Sequence, residues 1–307
     1  MRGNLVTLPR SQQISLEHTP YYHCTSRCVR RAFLCGKDRY SGKSFNHRKQ
    51  WLEERLRTLS GVFAIDLLAY AIMSNHYHVV VRLDTEQALR WSDDEIRARW
   101  EVLFAVPDQV TPEHIARWRK RLSSLSWYMR CLNEPLARLA NREDQCKGRF
   151  WEGRFKCQAL LDEQTLLKCM AYVDLNPIRA AVANTPETSD HTSIKARIER
   201  GDGHLLPFFG SRNSRSRCIP LRRDDYLQLV DWTGRAMRKG KRGRIPASAP
   251  PILERLRLNG DDWIREMQHY GRWYYRAAGS LRSLQNYCQH LGLNWLKGSG
   301  RMASAAA

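Results

Sequence analysis

The stretch Ala71-Ile-Met-Ser-Asn-His76-Tyr-His78-Val-Val-Val-Arg82 decides the fold of this chain. Val79 to Val81 are β-branched and favour a strand, and along a strand residues i and i+2 share a face. His76 and His78 therefore project side by side, while Tyr77 points the other way. Upstream, Val62 to Ile72 reads as a second strand, and Met73-Ser-Asn75 joins the two into a hairpin. Two neutral imidazoles on one face can hold a divalent ion when a third ligand arrives from elsewhere. The plainer reading of the same pair is two histidines lying on a half-polar sheet.

Working outward, Tyr21 to Val29 reads as an extended start and His47 to Thr58 as a charged amphipathic helix. Helical material runs from about Glu86 to Leu139, with an acidic-to-basic insert near Trp91 to Arg121, and Phe150 to Leu161 reads as another strand. Next comes the helical run Cys169-Met-Ala-Tyr172-Val-Asp-Leu-Asn176-Pro177. Tyr172 and Asn176 are four apart, so a helix places them on one face about a turn apart. That face offers a phenol and an amide oxygen to an ion held by His76 and His78. The plainer reading of Tyr172 is a core aromatic on an amphipathic helix. Pro177 either kinks the helix or restarts it at a first-turn position. This order of elements predicts an α+β fold, an antiparallel sheet with helices packed on it.

Lys and Arg number 51 against 31 Asp and Glu, a net charge of +20 over 307 residues. Such an excess attracts phosphate through counterion release, whatever the base sequence. Trp151 sits between Arg149 and Arg154, and Trp232, Trp263, Trp273, Tyr274 and Tyr275 lie among arginines. Aromatics on a basic track stack unpaired bases, which suits single strands better than duplex, although many such rings are core residues. No apolar run approaches the roughly 20 residues of a membrane span. The first 20 residues also lack the apolar centre of a secretory signal, which points to a cytoplasmic protein, on the nucleoid when bound to DNA. The 9 cysteines are scattered, and disulfides are not expected in that compartment. His23, Cys24 and Cys28 suggest zinc only weakly, since their spacing runs through a strand.

Four motifs in order now carry a family resemblance: Tyr21-Tyr-His-Cys-Thr-Ser-Arg27; Met73-Ser-Asn-His76-Tyr-His78; Gly148-Arg-Phe-Trp151-Glu-Gly-Arg154-Phe155; and Tyr172-Val-Asp-Leu-Asn176-Pro177-Ile-Arg179-Ala180. In this the chain resembles the HUH single-tyrosine transposases, and within them the REP-associated tyrosine transposases of bacteria, over roughly residues 15 to 185. The resemblance implies a ferredoxin-like palm with the histidines on a central strand. It implies Mg2+ or Mn2+ on His76, His78 and Asn176, and Tyr172 as a nucleophile that becomes joined to the 5′ side of a cut strand, leaving a free 3′-hydroxyl. Arg149, Trp151, Arg154 and Arg179 are the expected DNA contacts. The implied partner is single-stranded or hairpin DNA of REP type, and either a monomer or a homodimer is compatible. Two other readings fit the same scaffold. One is a nucleic-acid-binding regulator that no longer transposes; the other is a metal-dependent nuclease in which water attacks.

The expected organisation is a catalytic domain over 15–185, a basic linker region over 186–251 and a helical extension over 252–300. Past Thr185 the resemblance fades and the composition changes. Ser211 to Arg217 and Arg235 to Arg244 are basic, Pro246 to Pro251 reads as a linker, and Ile252 to Trp295 shows near-helical apolar spacing. This last part is equally a packing appendage or a DNA-reading module.

Overall fold

The computed structural model describes residues 9–29, 35–36, 42–210, 217–238, 253–254 and 258–297. The expected basic stretches at 211–216 and 239–244 and the expected linker at 246–251 lie outside them. The first half runs α1 (Arg10–Gln13), β1 (Tyr21–Arg27), α2 (His47–Val62), β2 (Ile65–Ile72), β3 (His76–Leu83), α3 (Thr85–Arg90), α4 (Asp93–Glu101), α5 (Pro112–Leu122), α6 (Leu125–Glu143) and β4 (Lys156–Leu160). It continues with α7 (Glu163–Asp174), α8 (Asn176–Arg179), α9 (Ser193–Arg200), β5 (Phe208–Phe209), β6 (Ile219–Arg222), α10 (Arg223–Arg238), α11 (Gly260–Trp273), β7 (Ala277–Ala278) and α12 (Leu281–His290).

Five strands form one sheet in the order β2-β3-β1-β4-β7. The first four pair antiparallel, which is the ferredoxin-like arrangement, and β7 adds to β4 in parallel. The fold is therefore α+β, as expected. Alternation along the strands sends side chains to two covered faces. On one face Tyr22, Cys24, Tyr77, Val79 and Val81 join the core formed with Leu52, Leu56 and Leu59 of α2 and Tyr128, Leu132 and Leu136 of α6. Tyr77 donates its hydroxyl to Asn133 there, at 2.6 Å. On the other face Ala69, Ala71, Val80 and Leu160 pack with Met170 and Val173 of α7, Tyr226 and Val230 of α10 and Trp263 and Met267 of α11.

Three expected strands are trimmed, the first from Val29 to Arg27 at its end. The strand expected from Val62 starts at Ile65, because Val62 closes the buried face of α2. The strand expected from Phe150 shortens to Lys156–Leu160, with a lone bridge between Cys28 and Trp151, since the Glu152-Gly153-Arg154 stretch interrupts regular pairing. Among the described residues of the expected helical extension, the chain is not purely helical: Ala277 and Ala278 join the sheet beside Ala159 and Leu160. Gly279 permits that approach, as a Cβ there would lie 2.9 Å from Leu161 Cβ. The insert near Trp91 to Arg121 is a helical pair whose Trp100 and Trp118 stack at 5.3 Å.

Candidate active site

On the face carrying α7, the apolar side chains of β3 give way at Val80 to His78 and then His76. The β1 register sets Thr25 opposite His78 and Arg27 opposite His76. The result is a polar notch in an otherwise apolar face, opening into a cavity of about 460 Å3. It is lined by His23, Thr25, His76, His78, Tyr172 and Asn176, with Arg27, Arg154 and Lys156 among its basic residues. Two elements deliver the residues from the opposite side. Asp162 caps α7 by accepting from the Thr165 N–H at 2.8 Å. That helix ends at Asp174, and α8 restarts at Asn176 with Pro177 in its first turn, where a missing N–H costs nothing. Asn176 thereby meets His78, its side-chain nitrogen 3.3 Å from Nε2.

The two histidines have matching hydrogen-bond arrangements. His76 Nδ1 contacts Asn75 Oδ1 at 2.6 Å, and His78 Nδ1 contacts His23 Nε2 at 2.8 Å and Thr25 Oγ1 at 3.1 Å. His23 in turn places Nδ1 3.3 Å from Gln158 Oε1, which also accepts from the Tyr270 hydroxyl at 3.2 Å. Gln158 Oε1 can only accept, so His23 donates from Nδ1 and accepts at Nε2 from His78 Nδ1–H. That assignment leaves Nε2 of both His76 and His78 as the lone-pair nitrogens. Burial lowers His23 and His76 to about 4 and pushes His78 well below its ordinary range, so all three rings are neutral at pH 7. Neutral imidazoles with the far nitrogen held by an outer partner are the donors a divalent ion requires. Asn176 could offer its amide oxygen to the same ion by a half-turn of its side chain, since O and N exchange places at little cost. The residues present fit the ion the resemblance implies.

Tyr172 packs edge-on against His78, ring centroids 5.8 Å apart, and tilted against Tyr270 at 4.8 Å. The Arg179 guanidinium lies 4.4 Å over its ring. Arg179 also donates to the Gln268 carbonyl, tying α8 to α11. Lys168 and Glu266 join α7 to α11 in a half-buried ion pair at 2.8 Å.

His76, His78, Asn176 and Tyr172 thus come together, and Arg154 lines the same cavity. Arg179 reaches it through the Tyr172 ring. Arg149 and Trp151 are outside the cavity lining. Trp151 is half-buried, its indole donating to the Asn133 carbonyl at 3.0 Å and its ring edge-on to Tyr77. Trp232, Trp263 and Tyr274 are buried, whereas Tyr275 is 45% exposed at the cavity wall. The weak zinc set does not assemble: Cys24 turns to the face of Tyr22 and Tyr77, away from His23. Sequence reasoning missed His23 as a partner of His78, and also Gln158, Tyr270 and Gly271. The period-2 run His23, Thr25, Arg27 was the available signal, but it has meaning only once the β1 to β3 register is known.

No family model and no curated protein matches the chain. Among solved structures it is similar to one titled a REP-associated tyrosine transposase bound to a REP hairpin. That match has a TM-score of 0.38 and 11% identity, covering 60% of this chain and 82% of that one. No helix among the described residues is long and apolar enough to cross a membrane.

Proposed function

We propose that the chain is a DNA strand transferase that cleaves and rejoins single-stranded DNA, at REP-type hairpins, with Tyr172 as nucleophile. The observation that carries this reading is the meeting of Tyr172 and Asn176 with His78 across the sheet face, 5.8 Å between rings in one case and 3.3 Å between side-chain atoms in the other. The four sequence motifs support it independently.

His76, His78 and Asn176 would hold Mg2+ or Mn2+, which when bound polarises the scissile phosphate. The chain's own residues do the rest. Arg27, Arg154 and Lys156 bind the strand's phosphates at the cavity mouth, and exposed Tyr275 offers a face on which an unpaired base can stack. Arg179, Tyr270 and His78 hold the Tyr172 ring in one orientation. Attack by the Tyr172 oxygen, which releases its phenol proton to solvent, forms a tyrosyl phosphodiester as the bond between phosphorus and the 3′-oxygen breaks, and the leaving 3′-oxygen takes up a proton from solvent. The ester energy is conserved in the new bond, so a second strand end can reverse the step.

A denaturing gel with a strand labelled on the 3′ side of the cut tests this. Wild type is expected to give a covalent protein-DNA band that Tyr172→Phe lacks while binding the hairpin normally. A band of equal strength in the variant overturns the assignment of Tyr172. Cleavage without a band in either protein identifies a nuclease, and binding without cleavage identifies a regulator.

A further inference from the structure

Away from the cavity, a second set of ligand-type side chains comes together. Glu17 and His18 lie in the turn before β1, and His290 is the last residue of α12. One carboxylate oxygen and two imidazole nitrogens from these residues lie within 4.8 Å of one another. We propose that Glu17, His18 and His290 form a structural site for a zinc-class divalent ion, which clips the segment entering β1 to the C-terminal helix.

Outer contacts hold both histidines in place. His18 Nδ1 is 2.9 Å from Ser15 Oγ, and the tautomer that donates Nδ1–H there keeps Nε2 for an ion. Ser15 is itself fixed, since its backbone N–H donates to Tyr22 Oη at 2.8 Å and its carbonyl accepts from the same hydroxyl. Tyr287 backs the pair. Its ring is edge-on to His18 at 5.5 Å and stacked on His290 at 6.0 Å, and its hydroxyl donates to the Gln13 carbonyl at 2.6 Å. The His18 and His290 rings stand 4.5 Å apart. Metal-ligating histidines carry this kind of outer support, because it sets the ring angle before the ion arrives.

The donor set selects the ion. Two imidazoles and one carboxylate suit zinc, which takes nitrogen and oxygen together in a tetrahedron, with a water completing the fourth position. At the same ligands zinc binds imidazole far more tightly than magnesium does. His290 also stands at a helix C-terminus, where the backbone dipole favours a cation. The ligands come from the two ends of the described chain, so a bond between them closes a very long loop, the case in which a clip restricts the unfolded chain most.

The site is independent of the proposed strand transfer and is tested with metal alone. The full chain, stripped with chelator, is titrated with Zn2+ by calorimetry and followed by thermal unfolding. The background is His76→Ala/His78→Ala, which removes the cavity as a competing site. One equivalent of zinc is expected to bind and raise Tm, and Mg2+ at equal concentration is expected to do neither. In that background His290→Ala and Glu17→Gln should each weaken zinc binding by at least about tenfold. Both positions are exposed, so an unchanged metal-free Tm verifies that the variants fold. Zinc affinity unaltered by His290→Ala, or no zinc bound in the background protein, overturns the proposal.

Discussion

Gly271 and Tyr172 approach so closely that a Cβ on Gly271 would lie 2.6 Å from the Tyr172 hydroxyl oxygen. The glycine sits inside α11, where alanine would ordinarily stabilise the helix by about 0.5–1 kcal/mol. The contact is with the tip of a side chain, so Gly271→Ala is expected to shift the Tyr172 ring rather than unfold the chain. Covalent adduct formation should fall by an order of magnitude or more while Tm stays within a few degrees. An adduct rate equal to wild type would show that this approach does not position the ring.

Replacing His76 and His78 together with alanine should abolish metal-stimulated cleavage. Hairpin affinity should be largely retained, because the phosphate contacts lie on other residues. Asn176→Ala should cost less, since two imidazoles and water still bind the ion. The comparison is read by titrating Mn2+ against cleavage rate for the three proteins.

Stability should respond to acid through His23. Burial depresses its folded value to about 4 from the ordinary 6.5, so the folded state stays neutral while the unfolded chain takes up a proton. The stability it contributes is present above the unfolded value and is lost as pH falls from 6.5 toward 4. At pH 5 the loss amounts to about 2 kcal/mol relative to pH 7. Buried Asp174, pushed up to about 6, acts in the opposite sense over an overlapping window. The readout is therefore the difference between wild type and His23→Gln in chelator, measured by denaturant unfolding at both pH values. Equal pH slopes in the two proteins would refute it.

Asp174 accepts from Ser193 Oγ, from the Ile194 N–H at 2.9 Å and from the Tyr226 hydroxyl, with no exposed surface. An amide in its place turns an NH2 toward hydroxyls already oriented to donate. Asp174→Asn should destabilise the fold by about 3 kcal/mol. A midpoint shift of the urea transition checks this.

Arg154→Ala should weaken DNA binding and lower the slope of log affinity against log salt by about one, as one phosphate contact is lost. Arg149→Ala, outside the cavity lining, should change that slope less. Both are measured by fluorescence anisotropy across a salt series.

The hairpin was legible from Ala71 to Arg82 because a β-branched run with period 2 leaves little choice of local structure. The joining of Tyr172 with Asn176 was legible from a four-residue spacing, although the helix is broken between them and restarted at Pro177. The aromatic positions were less so. Trp151, Trp232 and Trp263 stand among arginines in sequence, yet their rings are half-buried or buried and Tyr275 is the exposed one at the cavity. Charge along the chain does not reveal which way a ring turns.

By itself, the sequence determined the local propensities, the shared face of His76 and His78, the basic excess and the order of four motifs. These depend on neighbours a few residues apart, whose geometry the backbone dictates. Tertiary structure alone decided that His23 would hold His78, that Gly271 would abut Tyr172 and that Ala277 would extend the sheet. Each of those pairs is distant in sequence, and its meeting follows from strand register and helix packing that only burial of the whole core selects.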